Sequence, residues 1–173
     1  MASFTERVVG ALRLDAATYE EVERDVTATS QAAAIVALAS VAGGIGGYWL
    51  VGVTGMIRGA AVALLGWVFG AAVLWFVGTK ILPGKKTEAD IGQLLRTVGF
   101  AGAPGLLRVV GVVPGLGRLS ALVAGVWTVV ATVVAVRVAL DYDDHVKPLL
   151  VCLIALVAYG IANALLRSLL VIL

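Results

Sequence analysis

The chain is short of most residues that carry chemistry in water. Among its 173 residues there is one histidine and one cysteine, so neither a disulfide within the chain nor a ligand set built on those two residue types can form. Cys152 sits inside an apolar run and reads as a small core or lipid-facing residue. No pairing of serine, cysteine or histidine points to nucleophilic catalysis. Charged residues make up only 14% of the chain, and the net charge of +2 is scattered, which excludes a nucleic-acid footprint of clustered Lys and Arg. Prolines number four, so a proline inside an apolar segment stands out.

What is abundant is apolar: 61% of the residues are hydrophobic and the mean hydropathy is +1.03, well past the roughly half-apolar composition of soluble domains. Uncharged runs from Gln31 to Val53, Gly59 to Thr79, Leu119 to Val136 and Leu149 to Leu166 approach the ~20 residues needed to cross a hydrocarbon core of about 30 Å. A fifth stretch, Ile91 to Val113, is interrupted by Arg96, Pro104 and Arg108. The expected fold is all-α, a polytopic transmembrane bundle over 31–173 with five spans near 31–53, 59–80, 91–113, 118–138 and 148–170. The small-residue run "ALAS" at Ala37 to Ser40 has the look of a cleavage site. The thirty residues before Gln31, however, carry six acids against three arginines, the wrong sign for a signal peptide.

Residues 1–30 form the one sizeable polar segment. Phe4, Val8 and Leu12 recur at four-residue steps, predicting a short helix with one oily face suited to the membrane surface and with Glu6, Arg7 and Arg13 elsewhere. Thr18 and Glu21 have capping-box spacing for a second helix from Tyr19 to about Asp25, and Thr27, Thr29 and Ser30 offer a cap for the first span. After the loop "ILPGKKTEAD", Thr87 and Asp90 have N-cap and N3 spacing for the amphipathic start of the third span.

With a cytoplasmic N-terminus and five spans, nine of the thirteen basic residues face inward: Arg7, Arg13, Arg24, Lys80, Lys85, Lys86, Arg96, Arg137 and Lys147. That bias predicts N-in and C-out, with Arg58, Arg108, Arg118 and Arg167 outside. Tyr48 and Trp49 near one end of the first span, and Trp75 and Phe76 near the inner end of the second, suit interfacial belts.

"GGIGG" at Gly43 to Gly47 lacks the preceding strand and following acid of a dinucleotide loop, and "GTKILPGKKT" lacks the spacing of a phosphate loop. In lipid, Gly43 with Gly47 and Gly66 with Gly70 are GxxxG pairs that let helix backbones approach, within the bundle or in a homo-oligomeric seam. "DYDDH", Asp141 to His145, concentrates carboxylates that suit a hard cation, or else cap the last span ahead of Lys147 and Pro148. Arg137 can snorkel from a span end or meet Asp141 four residues on. Arg96 and Arg108 lie about 18 Å apart on a straight helix, and Pro104 predicts a kink between them. Irregular backbone at membrane depth survives only inside protein or facing water, so the third segment belongs within the bundle, with Arg96 at the inner interface.

Taken together, "GALRLDAATYEEVERDVTATSQA", a Trp-bearing second span ending "GTKIL", then "LLRTVGFAGAPGLL" and "AVRVALDYD", resemble bacterial members of the Yip (Ypt-interacting protein) domain family over nearly the whole chain. The resemblance implies a five-span helical domain with a cytoplasmic N-terminus, here in a bacterial inner membrane. It also implies a tendency to self-associate; eukaryotic members are linked to Rab-type GTPases and membrane traffic. The chain has no long N-terminal extension and no DLYGP segment, so Rab binding is not implied.

The expected function is a non-catalytic membrane organiser or scaffold, homo-oligomeric, binding membrane lipids and a protein partner through its N-terminal helices, with no cofactor and no nucleic acid. A channel, transporter or lipid-handling protein using the broken third span with Arg96 and Arg108 is the alternative. An enzyme built on "DYDDH" comes third.

Overall fold

The computed structural model describes residues 2–172, and the side chains of all of these except 48–51 and 162–172. It is all-helical, with no strand among the described residues. Two short helices, α1 (Phe4–Leu12) and α2 (Ala16–Arg24), precede the long segments. These are α3 (Ala28–Gly46), α4 (Tyr48–Phe76) continued by one π-helical turn (Val77–Ile81), α5 (Ile91–Ala101) continued by a 3₁₀ stretch (Ala103–Val112), α6 (Gly117–Ala139) and α7 (Val146–Ile172). Four helical stretches are long and apolar enough to cross a membrane: Ala28–Gly46, Gly52–Ile81, Ile91–Val112 and Gly117–Ala139. Val146–Ile161 adds a shorter apolar helix.

Several boundaries differ from the sequence reading, each for a local reason. The first span ends at Gly46 rather than near 53, because the glycine cluster ends the helix there and Gly52 turns the chain with φ 59°, a left-handed conformation that glycine adopts without cost. α2 begins three residues before Tyr19: Asp15, not Thr18, is its cap, accepting hydrogen bonds from the Ala17 and Thr18 N–H groups and the Thr18 hydroxyl. α1 has a capping box of its own, Ser3 with Glu6. α5 is capped by Asp90 in a reciprocal box with Gln93, while Thr87 ties the Gly84 N–H to the Leu140 carbonyl. Thr27 flanks α3 without a side-chain cap, and Thr29 and Ser30 donate back to the Val26 and Thr27 carbonyls. The belt placement of Tyr48 and Trp49 and the outside placement of Arg167 fall on side chains outside those described.

α1 does not lie as a free surface helix. Val8 and Leu12 pack with Ala11, Tyr19 and Val22 into a core shared with Ala32 and Ile35 of α3, Phe100 of α5 and Ala131 and Ala135 of α6. The oily face assigned to the membrane surface is turned against the bundle, and only Phe4 and Val9 keep substantial exposure. A second core joins Ala71 and Leu74 of α4, Leu94 of α5, Val136 and Leu140 at the end of α6, and Val151 of α7.

The third segment is the most buried of the four candidate spans, at 44% against 17–22% for the others. Pro104 sits at the start of the 3₁₀ stretch, where its missing N–H leaves no bond unmade, and Gly105 donates to the Gly102 carbonyl three residues back. The expected kink is therefore a change of helix type. It matters for packing against α3, which runs parallel to it.

A Cβ on Gly99 would sit 2.6 Å from Ala32 Cβ, one on Gly105 2.9 Å from Ala39 Cβ, and one on Gly111 3.2 Å from Gly46 Cα. The α3 contacts recur every seven residues, about two α-turns, and those opposite recur every six; from Gly105 to Gly111 that is two turns of the 3₁₀ helix, while Gly99 lies in the last turn of α5. The rises agree as well, about 10.5 Å and about 12 Å. An α-helix after Pro104 would rotate Gly111 off the seam.

A Cβ on Gly46 would collide with the backbone carbonyl of Arg108, whereas one on Gly125 of α6 meets nothing. Gly46→Ala should therefore force the seam apart at a cost of about 1–3 kcal/mol. Gly125→Ala should be neutral or slightly stabilising through helix propensity. Thermal unfolding of the two variants in detergent measures the contrast.

Candidate functional site

Two polar assemblies are set into this frame, one where the N-terminal helices meet the bundle and one around a cavity elsewhere in it.

The first begins with Arg7. Helix α1 places it on the side facing α2, where its guanidinium is 2% exposed and donates to Glu21 (2.9 Å), Asp25 (2.7 Å) and the side-chain oxygen of Gln31 (3.1 Å). Glu21 and Asp25 stand four apart, so one face of α2 presents two acceptors to one donor fork. Burial opposes the charge on Arg7, but the two carboxylates raise its pKa on balance. Glu21 is held below its usual range by Arg7 and the Ala2 N–H, and Asp25 by the Thr27 hydroxyl and then Arg7. The sequence places Arg7 off the oily face of α1 without naming a partner; in the structure it is buried, and three polar partners compensate the desolvation.

Arg96 reaches the same helix from below. Its Nε donates to the carbonyls of Val22 and Glu23, and Nη2 donates to Glu23 as well. These are carbonyls at the C-terminal end of α2, which have no intrahelical donor, and a cation there also complements the helix dipole. Arg96 is 6% exposed, and its bonds fasten α2 to α5.

One turn earlier, Gln93 Nε2 donates to the Glu23 carboxylate at 2.8 Å. Burial and then nearby Asp141 push the Glu23 pKa up to about 7, against the pull of Arg24 and Arg96. Tryptophans and a tyrosine close the remaining gaps by donating to carbonyls where helices break or meet: Trp67 to Leu95, Trp75 to Ala89, Trp127 to Leu12, and the Tyr142 hydroxyl to Gly78 and Leu82 beside the π-turn.

The second assembly is a cavity of about 1060 Å³ walled by α3, α4, the third segment, α6 and Tyr159 of α7. Glycines form much of the wall, including Gly43, Gly59, Gly66 and Gly125, and the two charged side chains on it are Arg108 and Arg118. Gly43 faces the Arg108 side chain, whose Cδ would lie 3.4 Å from a Cβ there. Arg96 does not line this cavity. The single path through Arg96 and Arg108 expected from sequence is not formed, because Arg96 is consumed in capping α2; Arg118 stands in its place.

The other expected site residues are spread out. Gly47 faces only its own helix, at the Gly43 carbonyl, so the close approach on α3 falls to Gly46. Gly66 faces the Tyr159 hydroxyl, and a Cβ on Gly70 would meet nothing within 4 Å. No ion pair joins Arg137 to Asp141 among the described residues: Asp141 follows the end of α6 with φ 50°, in a turn that breaks the helical i,i+4 register. In "DYDDH" Asp144 accepts from the Val146 and Lys147 N–H groups as the cap of α7, and Asp143 lies 3.6 Å from Lys86. The carboxylates are thus divided between a cap and a surface pair, and the described residues form no group of three or more His, Cys, Asp or Glu side chains placed to hold a metal.

Removing Arg7 leaves Glu21 and Asp25 without their shared donor and should destabilise the hairpin by on the order of 2 kcal/mol. Arg96→Ala should release α2 from α5. Both variants should speed limited proteolysis between residues 13 and 30 relative to the unaltered chain.

Glu23 has a folded-state pKa above its ordinary 4.5, so the folded state binds the proton more tightly. Its contribution favours the docked hairpin at low pH and is lost as pH rises from about 4.5 through about 7. Hydrogen exchange of α2 followed from pH 5 to pH 8 should show rising exchange beyond the intrinsic pH effect, and Glu23→Gln should flatten that excess.

A family model, the Yip1 domain, matches residues 10–165. No curated protein and no solved structure matches the chain.

Proposed function

Since the chain belongs to the Yip1 domain family of membrane proteins, we propose that it is a non-catalytic, self-associating organiser of a bacterial inner membrane. The reading has five spans, with the N-terminal hairpin on the cytoplasmic side. The five long segments α3, α4, the third segment, α6 and α7 run alternately in opposite directions, and the Lys and Arg bias favours the hairpin end as the inner one.

The observation that carries self-association is the state of α4. Its membrane-length stretch is 17% buried, the least of the four, and it exposes Val62, Leu65 and Phe69. Gly70 has nothing within 4 Å of where a Cβ would sit, and Gly66 meets only one hydroxyl. Gly70 is therefore unused by the fold and open to another helix backbone, the contact small residues make in lipid, while Gly66 one turn away is taken up inside the bundle opposite Tyr159. At the hairpin end, a surface held rigid by Arg7 and Arg96 is suited to present α1 and α2 to a protein partner. A lipid-handling role is the second reading, favoured by the cavity that holds Arg108 and Arg118.

A cysteine placed at Gly70 in a Cys152→Ser chain should crosslink to a second copy in native membranes. Gly70→Leu should shift the assembly toward monomer in lipid nanodiscs with little loss of thermal stability, since a Cβ there meets nothing within 4 Å in the single chain. A solitary monomer in both experiments would remove self-association from the reading.

A further inference from the structure

Every helix that walls the cavity lacks carboxylates. The eleven Asp and Glu residues of the chain lie at positions 6–25, 88–90 and 141–144, so α3, α4, α5 with its 3₁₀ stretch, α6 and α7 contain none. Arg108 and Arg118, like Arg13, Arg58 and Arg137, make no side-chain hydrogen bond or ion pair with any described residue, and of these five only Arg108 and Arg118 line the cavity. Both cations therefore line one cavity in a part of the protein that supplies no counter-charge. Both are exposed, Arg118 at the second position of α6 and Arg108 near the end of the 3₁₀ stretch, so they stand where an anion from outside the chain can reach them.

The rest of the wall fixes what kind of anion. It is predominantly apolar, and at Gly59 and Gly125 it is bare backbone, with a Cβ on Gly125 pointing into open space. A volume of about 1060 Å³ lies at the upper end of ligand-site sizes, far more than a free inorganic anion fills. At membrane depth the molecule that combines a phosphate with a long apolar body is the bilayer lipid itself.

We propose that this cavity is a phospholipid site. The Arg108 and Arg118 guanidinium groups hold the phosphate through charge-assisted hydrogen bonds, and an acyl chain lies along the glycine wall toward Gly66 and Gly125. The glycines leave bare backbone between side chains such as Val36, Met56 and Val62, so the acyl chain gains dispersion contacts with both. This assignment requires neither self-association nor transport and stands apart from the role proposed above.

The full chain, stripped of native lipid in detergent, is titrated with palmitoyl-oleoyl phosphatidylglycerol, and bound lipid is counted by native mass spectrometry. The expected result is one tightly held lipid per chain. Diacylglycerol with the same chains should bind at least tenfold more weakly, and inorganic phosphate should not displace the lipid. The double variant Arg108→Ala, Arg118→Ala should lose about tenfold or more in affinity. Gly125→Leu, which fills the wall without a clash, should do the same with the arginines intact, and it carries the test alone if the double variant fails to fold. Arg58→Ala, an exposed arginine off the cavity, should bind as the unaltered chain does. Equal retention of diacylglycerol, displacement by inorganic phosphate, or unchanged binding in both cavity variants would each overturn the assignment.

Discussion

A membrane segment that leaves α-helical geometry has to find protein around it, because hydrocarbon offers nothing to its backbone groups. From Pro104 to Val112 the chain is in that position, and the seam with α3 answers it. The close approach at Ala32, Ala39 and Gly46 is possible only because Gly99, Gly105 and Gly111 present no side chain. Gly105 and Gly111, six residues apart, share one face only because the helix between them has three residues per turn. The 3₁₀ stretch and the glycines thus require each other, and α3, α6 and the N-terminal hairpin are arranged around the segment they bury.

Burying the third segment has a consequence at its lower end. Arg96 is carried inside with it, and a guanidinium at that depth needs acceptors. The carbonyl end of α2 supplies them, which draws the hairpin onto the bundle and fixes its orientation. Once α2 is docked, Glu21 and Asp25 face α1, and Arg7 completes the set. Arg7, Glu21, Glu23 and Asp25 are therefore turned into the hairpin and its dock while most other polar residues of the first thirty positions stay exposed, and the apolar residues enter the bundle core.

Much of this was legible in the sequence, and the failures are instructive. Run length and charge located the apolar helices, and Pro104 between glycines marked the interruption and the burial of the segment around it. The partner of Arg96 was not legible because a membrane arginine has two low-cost solutions, snorkelling to an interface or capping a helix end. Only the three-dimensional position of α2 separates them. Arg7 was missed for a related reason: its partners Glu21, Asp25 and Gln31 lie 14 to 24 residues away. The i,i+4 pair of acids on α2 was the available signal, and it says only that something cationic faces them. The glycine seam escaped because a search for GxxxG assumes the α-helical period on both partners. Gly99, Gly105 and Gly111 keep a different one.

The same glycine usage accounts for where the cavity forms. Where glycine on one segment meets alanine or glycine on the other, backbones touch and the seam closes, as at Gly105 against Ala39. Where glycines line a wider gap, their own positions put no side chain into it; Gly43, Gly59, Gly66 and Gly125 border such a gap among α3, α4 and α6. A void of that size lined by apolar atoms forfeits dispersion contacts on every wall. Larger side chains at those positions would fill it; Gly125 has open space in which to carry one. The chain instead keeps the space and sets two unpaired arginines on its wall, a combination that trades internal packing for room and charge.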